Sequence, residues 1–504
     1  MYEIKDLLFK LVSIPSINGT EGEVKIAHFI YEYLLECKKS YNLYDQDLSV
    51  FFQPIKQDTL GRKNVIAVIK GRKSESNKCI VFLGHFDTVD IEDYGNIKQF
   101  AFDPIKLKSK LKEILQEKGL EFEGFEFGRG IFDMKGGIAV NIQVLNYLAQ
   151  NIENFSGYVI FLFVCDEEGD SKGMINALEF LRNFQKDRGL EFIFCINTDY
   201  SVGKKVYLGS IGKVLVGILV RGIETHVGQS LEGINPNYIL SCILSNVENN
   251  TDLIEFFENE FTSPPVVMKV RDMRESYNVK TNLYAFAYVN HLFFQRDFSY
   301  ILGLYKSIAK QTVENIIETR MKLIEKLGLE YHISTIPVYT LQEFCRIYGK
   351  KFKVEESFVI DGKYQDYREG LIYLLKDWID NLGVNYPLVL LFYLPPFYPS
   401  VRTDLALRKL IQSYFQNLND EIEIRYYFPY ISDLSFLGQI GDYDYLEDNM
   451  VGNCIDLKDK ISMPCINWGV TGFDAHKFTE RIEIEYSLYK LPRYLYEFVL
   501  QFLC

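Results

Sequence analysis

Over the first 212 residues, short apolar runs alternate with amphipathic segments. NVIAVIK (64–70), KCIVFLG (78–84), GYVIFLFVC (157–165) and EFIFCIN (191–197) are apolar almost without interruption, the pattern of strands covered on both faces. Between them, GIAVNIQVLNYLAQ (137–150) and GMINALEFLRNF (173–184) space their apolar residues along one helical face. Such alternation predicts an α/β domain with a parallel or mixed sheet. The pattern changes near Gly212. KVLVGILVRG (213–222) reads as a strand, 305–327 as a Lys/Glu-rich helix, and PLVLLFYLPPFYP (387–399) as strand-like again. Beyond it, RTDLALRKLIQSYFQNLN predicts a helix, EIEIRYYFPY and ISMPCINWGV strands of the first kind, and YSLYKLPRYLYEFVLQFL a terminal helix. The expected organisation is one domain in two parts, 1–212 and 400–504, interrupted by an inserted domain at 213–399.

Composition narrows the class. With 48% hydrophobic and 24% charged residues among 504, the chain is neither disordered nor a small disulfide scaffold. A formal charge of −13, with no long basic run, argues against a nucleic-acid binder held by phosphate neutralisation. Nine cysteines without a CxxC pair read as reduced thiols of a cytoplasmic protein. Glu3 and Asp6 stand where a secretory signal needs positive charge. No apolar run reaches the roughly 18 residues of a membrane span. The expectation is a soluble cytoplasmic protein with neither nucleic acid nor membrane as partner.

Candidate chemistry gathers where apolar runs end. His85 and Asp87 follow KCIVFLG two residues apart, so on extended backbone both point one way. A histidine there can ligate a metal while the aspartate accepts its second ring N–H. Asp133 precedes Gly136 and Gly137 at a helix start, Asp166, Glu167 and Glu168 follow GYVIFLFV, Asp199 follows EFIFCIN, and His476 follows the last strand-like run. Each signal is weak alone. Adjacent carboxylates such as Asp166, Glu167 and Glu168 repel one another unless water solvates them, as in an ordinary acidic loop, or a cation neutralises them. A metal cluster is the physical reason to collect so many at several strand ends. Mixed imidazole and carboxylate ligation suits Zn²⁺, with Co²⁺ or Mn²⁺ as alternatives.

Taken together, GHFDTV (84–89), the Asp133 segment, the DEEG pair, Asp199 and the late His476 resemble the M20 family of metallopeptidases. Length, GHFDTVDIEDYG and the insert with PPFYPS are most similar to its arginine-utilisation (RocB-type) branch. The likeness covers about 60–212 and 400–504. It implies a mixed-sheet, zinc-peptidase-like α/β catalytic domain interrupted by an inserted α+β lid domain. It also implies two divalent metal ions, one on His85, Asp133 and Asp199, with Asp133 bridging to a second on Glu168 and His476. Asp87 would partner His85 and Glu167 would be the general base. VRGIETHVGQSLEGINP (220–236) is similar to the lid segment bearing a substrate-polarising histidine, here His226, which in the family often serves a dimer partner; a homodimer through the lid follows. In the segment around Asn278, Thr281 stands where the family has proline, so nothing is carried over there.

The implied activity is hydrolysis of an amide or peptide bond in a small peptide or N-acyl amino acid, by water activated at a dinuclear metal centre. The alternative, a non-catalytic binding or regulatory protein on the same fold, would usually lack the base or a ligand, and all six positions are filled. Few basic residues lie near the motifs beyond Arg129 and Lys135, which argues against a phosphoester. His28, His291 and His332 read as structural, and Cys165 and Cys195 as core.

Overall fold

The computed structural model of the chain describes residues 2–115, 119–330, 335–354, 366–416, 418, 420–438, 441–452 and 461–504; His332 lies outside them. Two units emerge. One takes the chain up to Ser210, Val401–Gly438 and the C-terminal stretch to Cys504; the other takes Ile211–Ser400 with the helix Tyr443–Asp448.

In the first unit the apolar runs form an eight-stranded sheet. Its order is Leu48–Pro54, Lys63–Lys70, Tyr158–Val164, Lys78–His85, Glu191–Asn197, Cys465–Asn467, Lys205–Tyr207 and Glu423–Arg425. The four middle strands from Tyr158–Val164 to Cys465–Asn467 run parallel, and the two before them join antiparallel. The sheet is therefore mixed, as the patterning predicts. In register, His85 lies beside Val164, Leu83 beside Asn197, and Asn197 beside Asn467. Four carboxyl ends thus leave the sheet at one edge, where loops of α/β sheets collect ligands.

Helix Lys135–Gln150 packs on strand 78–85 and on the C-terminal helix Leu491–Leu503. Ile138, Ile142 and Leu145 are fully buried there, each contributing about 1.5–3 kcal/mol by leaving water. A smaller sheet of Phe125–Phe127, Arg481–Glu483 and Gly472–Phe473 joins the stretch before Asp133 to the hairpin that carries His476.

The second unit holds a five-stranded sheet in the order Val266–Asp272, Tyr284–Phe293, Gly212–Arg221, Leu388–Tyr398 and Val338–Thr340. Only the last pair is parallel. Helices Pro236–Ser245 and Phe298–Lys326 pack on its strands. Phe344 and Leu371, from helices Leu341–Tyr348 and Tyr367–Asn381, join the apolar cluster around Leu215 and Phe392. The expectation for 400–504 needs one correction: helix Tyr443–Asp448 groups with this unit. The reason is backbone pairing, since Tyr393 donates to Asn449 O and accepts from Val451, both at 2.8 Å. Among the described residues no helix is long and apolar enough to cross a membrane.

Candidate metal centre

Backbone geometry puts the candidate side chains of the first unit at the sheet's carboxyl edge. His85 is the last residue of its strand and Asp199 lies two beyond Asn197. Glu167 and Glu168 lie in a short loop between strand Tyr158–Val164 and helix Lys172–Arg188. That loop turns on Asp166 and Ser171, both left-handed at φ 67° and 54°, a conformation that costs roughly 1–3 kcal/mol per non-glycine residue unless the surroundings impose it. Here they do. Asp166 Oδ1 accepts from Arg62 Nη1 at 2.6 Å and Asn18 Nδ2 at 3.1 Å, and its carbonyl accepts from Ser171 N at 2.7 Å. Asp133 sits just before helix Lys135–Gln150, whose Gly137 lets the strand end approach: a Cβ there would lie 2.4 Å from Thr198 O.

Asp133 is the hub. Its Oδ1 lies 3.1 Å from His85 Nε2 and its Oδ2 2.9 Å from His476 Nε2. His476 Nε2 also lies 3.0 Å from Glu168 Oε1, and His85 Nε2 is 3.7 Å from Glu167 Oε2. Three overlapping sets have donor atoms close enough to share an ion: His85, Asp133 and Asp199; Asp133, Glu168 and His476; and His85, Glu167 and Glu168. The sequence-predicted ligands therefore converge, and one aspartate offers a different oxygen to each imidazole.

Electrostatics shows what the cluster needs. Burial, reinforced by Asp133, pushes Asp199 up to about 7. Burial also pushes Glu167 well above the carboxylate range, with Asp433, Glu168 and Asp199 adding to it against His85. Asp133 goes the other way, because hydrogen bonds from His476 and His85 overcome its burial. The hydrogen bonds with Asp133 and Glu168 in turn raise His476 to about 11. Four carboxylates, Asp133 and Asp199 buried and Glu167 and Glu168 half-buried, face two imidazoles, so the acidic side chains outnumber the rings that could neutralise them. The atoms that share protons here are the O and N donors a divalent cation prefers, and the donor set fits two such ions.

Asp87 differs in detail from its expected part. The His85 Nδ1 lies closer to the Asp87 carbonyl, 3.2 Å, than to its carboxylate, 3.6 Å. The carboxylate instead accepts from Glu167 N, Glu168 N and Asn18 Nδ2 at 3.1, 3.0 and 2.9 Å, so Asp87 orients the acidic loop as well as the ring. Asn18, Arg62 and Glu480 escaped the sequence reading because only tertiary contacts bring them to the site. His226 belongs to the second unit. It is exposed, and its Nδ1 accepts from Gly228 N at 3.1 Å, capping the turn Val227–Gln229. His28 is an exposed helix residue against Phe52, and His291 is buried beside Tyr305.

Comparison with known proteins fits this geometry. The sequence pattern of Peptidase family M20/M25/M40 matches residues 81–501. The chain belongs to that family. It is a metallopeptidase-type hydrolase of the RocB-type branch, being 32% identical to protein RocB of Bacillus subtilis over 97% of this chain and 93% of RocB. Among solved structures, aminopeptidase PepT of Bacillus cereus superposes with a TM-score of 0.56 at 12% identity, covering 99% of this chain and 98% of PepT. YxeP of Bacillus subtilis, a dinuclear metal-binding peptidase of family M20, also gives 0.56, at 13% identity and 99% and 97% coverage. At those identities the likeness shows the fold.

Proposed function

We propose that this M20 hydrolase cleaves an amide or peptide bond in a small amino-acid-derived substrate, a short peptide or N-acyl amino acid. The observation that carries it is Asp133, whose two oxygens face His85 and His476. In this reading His85, Asp133 and Asp199 hold one divalent ion, and Asp133, Glu168 and His476 the other, Zn²⁺ ahead of Co²⁺ or Mn²⁺. When bound, such ions polarise a carbonyl and lower the pKa of water toward about 7.

The chain's own residues do the rest. Glu167 Oε2, beside His85 and raised by burial, takes a proton and returns it to the leaving amine. Asp87 holds the Glu167 and Glu168 amides, which aims the two side chains differently. His226 has its Nδ1 taken by Gly228 N, which leaves Nε2 as the donor; by the family resemblance that N–H, from this chain or a second copy, would steady the oxygen of the carbonyl under attack. Buried thiols at Cys79, Cys165 and Cys195 support a reducing, cytoplasmic setting.

The test is turnover of a panel of N-acyl amino acids and dipeptides by the Zn²⁺-loaded chain. Cleavage of at least one class that Glu167→Gln abolishes supports the reading. Wild-type chain holding two ions yet cleaving no member overturns it.

A further inference from the structure

Asp133 and His476 come from distant parts of the chain, and both sit in loops. A loop ligand holds its geometry only if other groups fix it. At His476 the need is acute, since it and Asp474 are left-handed at φ 65° and 60°. Strand Arg481–Glu483 pairs with Phe125–Phe127 on one side and Gly472–Phe473 on the other, which brings the two loops together without fixing their side chains.

Glu480 and Arg129 supply what the strands leave open. Glu480 is fully buried; its Oε1 accepts the backbone N–H groups of Phe132 and Asp133 at 3.1 and 3.2 Å. Its Oε2 accepts from Arg129 Nη1 at 2.8 Å. Arg129, equally buried, donates to Asp93 Oδ1 at 2.5 Å, to Asp90 O at 2.9 Å and to His476 O at 3.4 Å. One carboxylate thus holds the main chain at Asp133, and the arginine paired with it holds the main chain at His476. Neither offers an atom to the ligand cluster. Stability alone is a poor reason for such a pair, because a buried ion pair is often no better than apolar residues of the same volume.

We propose that Glu480 and Arg129 form a clasp of positioning residues that sets the spacing between Asp133 and His476, and with it the affinity of the ion those two would share. The inference rests on the metal-site reading above. Its test uses the full chain, stripped of metal and titrated with Co²⁺, read by visible absorption and by competition with a chelator, alongside thermal unfolding of the metal-free chain.

Glu480→Gln keeps the shape and one acceptor but loses the charge opposite Arg129; Arg129→Lys keeps a charge but loses the fork. Each should weaken one of two Co²⁺ ions about 10–100-fold, the usual effect of losing an outer partner of a metal ligand. Combined, the two should cost little more than the worse single change, as expected of groups acting through one contact. Wild-type affinity for both ions in Glu480→Gln and Arg129→Lys overturns the clasp, even if the metal-free melting point falls, since that pattern marks a purely structural pair. If wild-type chain itself binds fewer than two ions, the metal-site reading fails first, and the clasp with it. Should Glu480→Gln not fold, Arg129→Lys decides by the same readout.

Discussion

Glu167 and Glu168 are neighbours in the chain with different company. Glu168 Oε1 meets His476 and lies within reach of Asp133, whereas Glu167 Oε2 lies 3.7 Å from His85 and is grouped with His85 and Glu168 but not with Asp133 or His476. Glu167→Gln should therefore keep two ions per chain and lose turnover, since an amide cannot take the proton, while Glu168→Gln should fall to about one ion. Elemental analysis with a turnover assay checks both, and the reverse pattern would swap the roles. Away from the site, hydrogen bonds from Lys204 and Tyr494 hold Asp420 down to about 2. A carboxyl depressed in the fold stabilises it above its unfolded value, about 3.9, and the gain is lost as pH falls through 2. Asp420→Asn should thus lower the melting point at pH 7 and make little difference at pH 2; an equal loss at both would refute the linkage. The ligand types were legible in the sequence because four of them follow apolar runs and Asp133 stands before Gly136 and Gly137 at a helix start. What orients them was not, since Asn18, Arg62 and Glu480 carry no local mark of burial.

Strand ends do the positioning, and they tolerate little added volume. Gly469 follows Trp468, whose N–H pairs with Asn197 O at 2.8 Å. A Cβ at 469 would lie 1.9 Å from Asp199 O and 2.3 Å from Thr198 O. Gly469→Ala must therefore shift the Asp199 strand end, costing about 1–3 kcal/mol as overpacking does and weakening metal binding. Gly303, in the long helix Phe298–Lys326, has open space where its Cβ would go; Gly303→Ala should stabilise by about 0.5–1 kcal/mol. Denaturant titration of both variants is the check, and a neutral Gly469→Ala would show that the strand end is not held as described. In the second unit, His226→Ala should cost about 10²–10³ in kcat, by analogy with losing one oxyanion donor, at unchanged metal content. Near-wild-type kcat on the best substrate would leave that histidine no chemical role. The continuous apolar strands were legible to within a residue or two, whereas the helix expected at 305–327 starts seven residues earlier, at Phe298, and the one expected at 173–184 runs on to Arg188. Two late strands were not, for EIEIRYYFPY and ISMPCINWGV contribute only Glu423–Arg425 and Cys465–Asn467 to the sheet. The terminal helix opens with a wider turn at Glu485–Lys490 before Leu491–Leu503, where Pro492 has no N–H to give the preceding turn.

At the scale of the whole molecule, the chain visits its second unit twice, and only the first visit shows in the sequence. The return helix Tyr443–Asp448 lies in a Tyr- and Asp-rich stretch without apolar periodicity, so its place depends on tertiary pairing with Tyr393. Every proposed metal ligand, by contrast, belongs to the first unit, which makes metal removal a selective perturbation. A chain of two units need not unfold in one step. Ions that bind only the folded first unit stabilise it by mass action, by about 4 kcal/mol for each site at a free concentration 1,000 times its Kd. Calorimetry of the Zn²⁺-loaded chain, repeated after chelation, should therefore show one transition falling by several degrees and the other staying put. His476→Ala, carrying one ion at most, should fall in between. Restoring Zn²⁺ should return the wild-type profile, and elemental analysis should then count two ions per chain. Equal shifts in both transitions would mean that the metal is not confined to the first unit. No shift in either, with two ions counted, would mean that the cluster is formed equally well in the unfolded chain, which a set of ligands gathered from three strand ends, a helix start and a hairpin forbids.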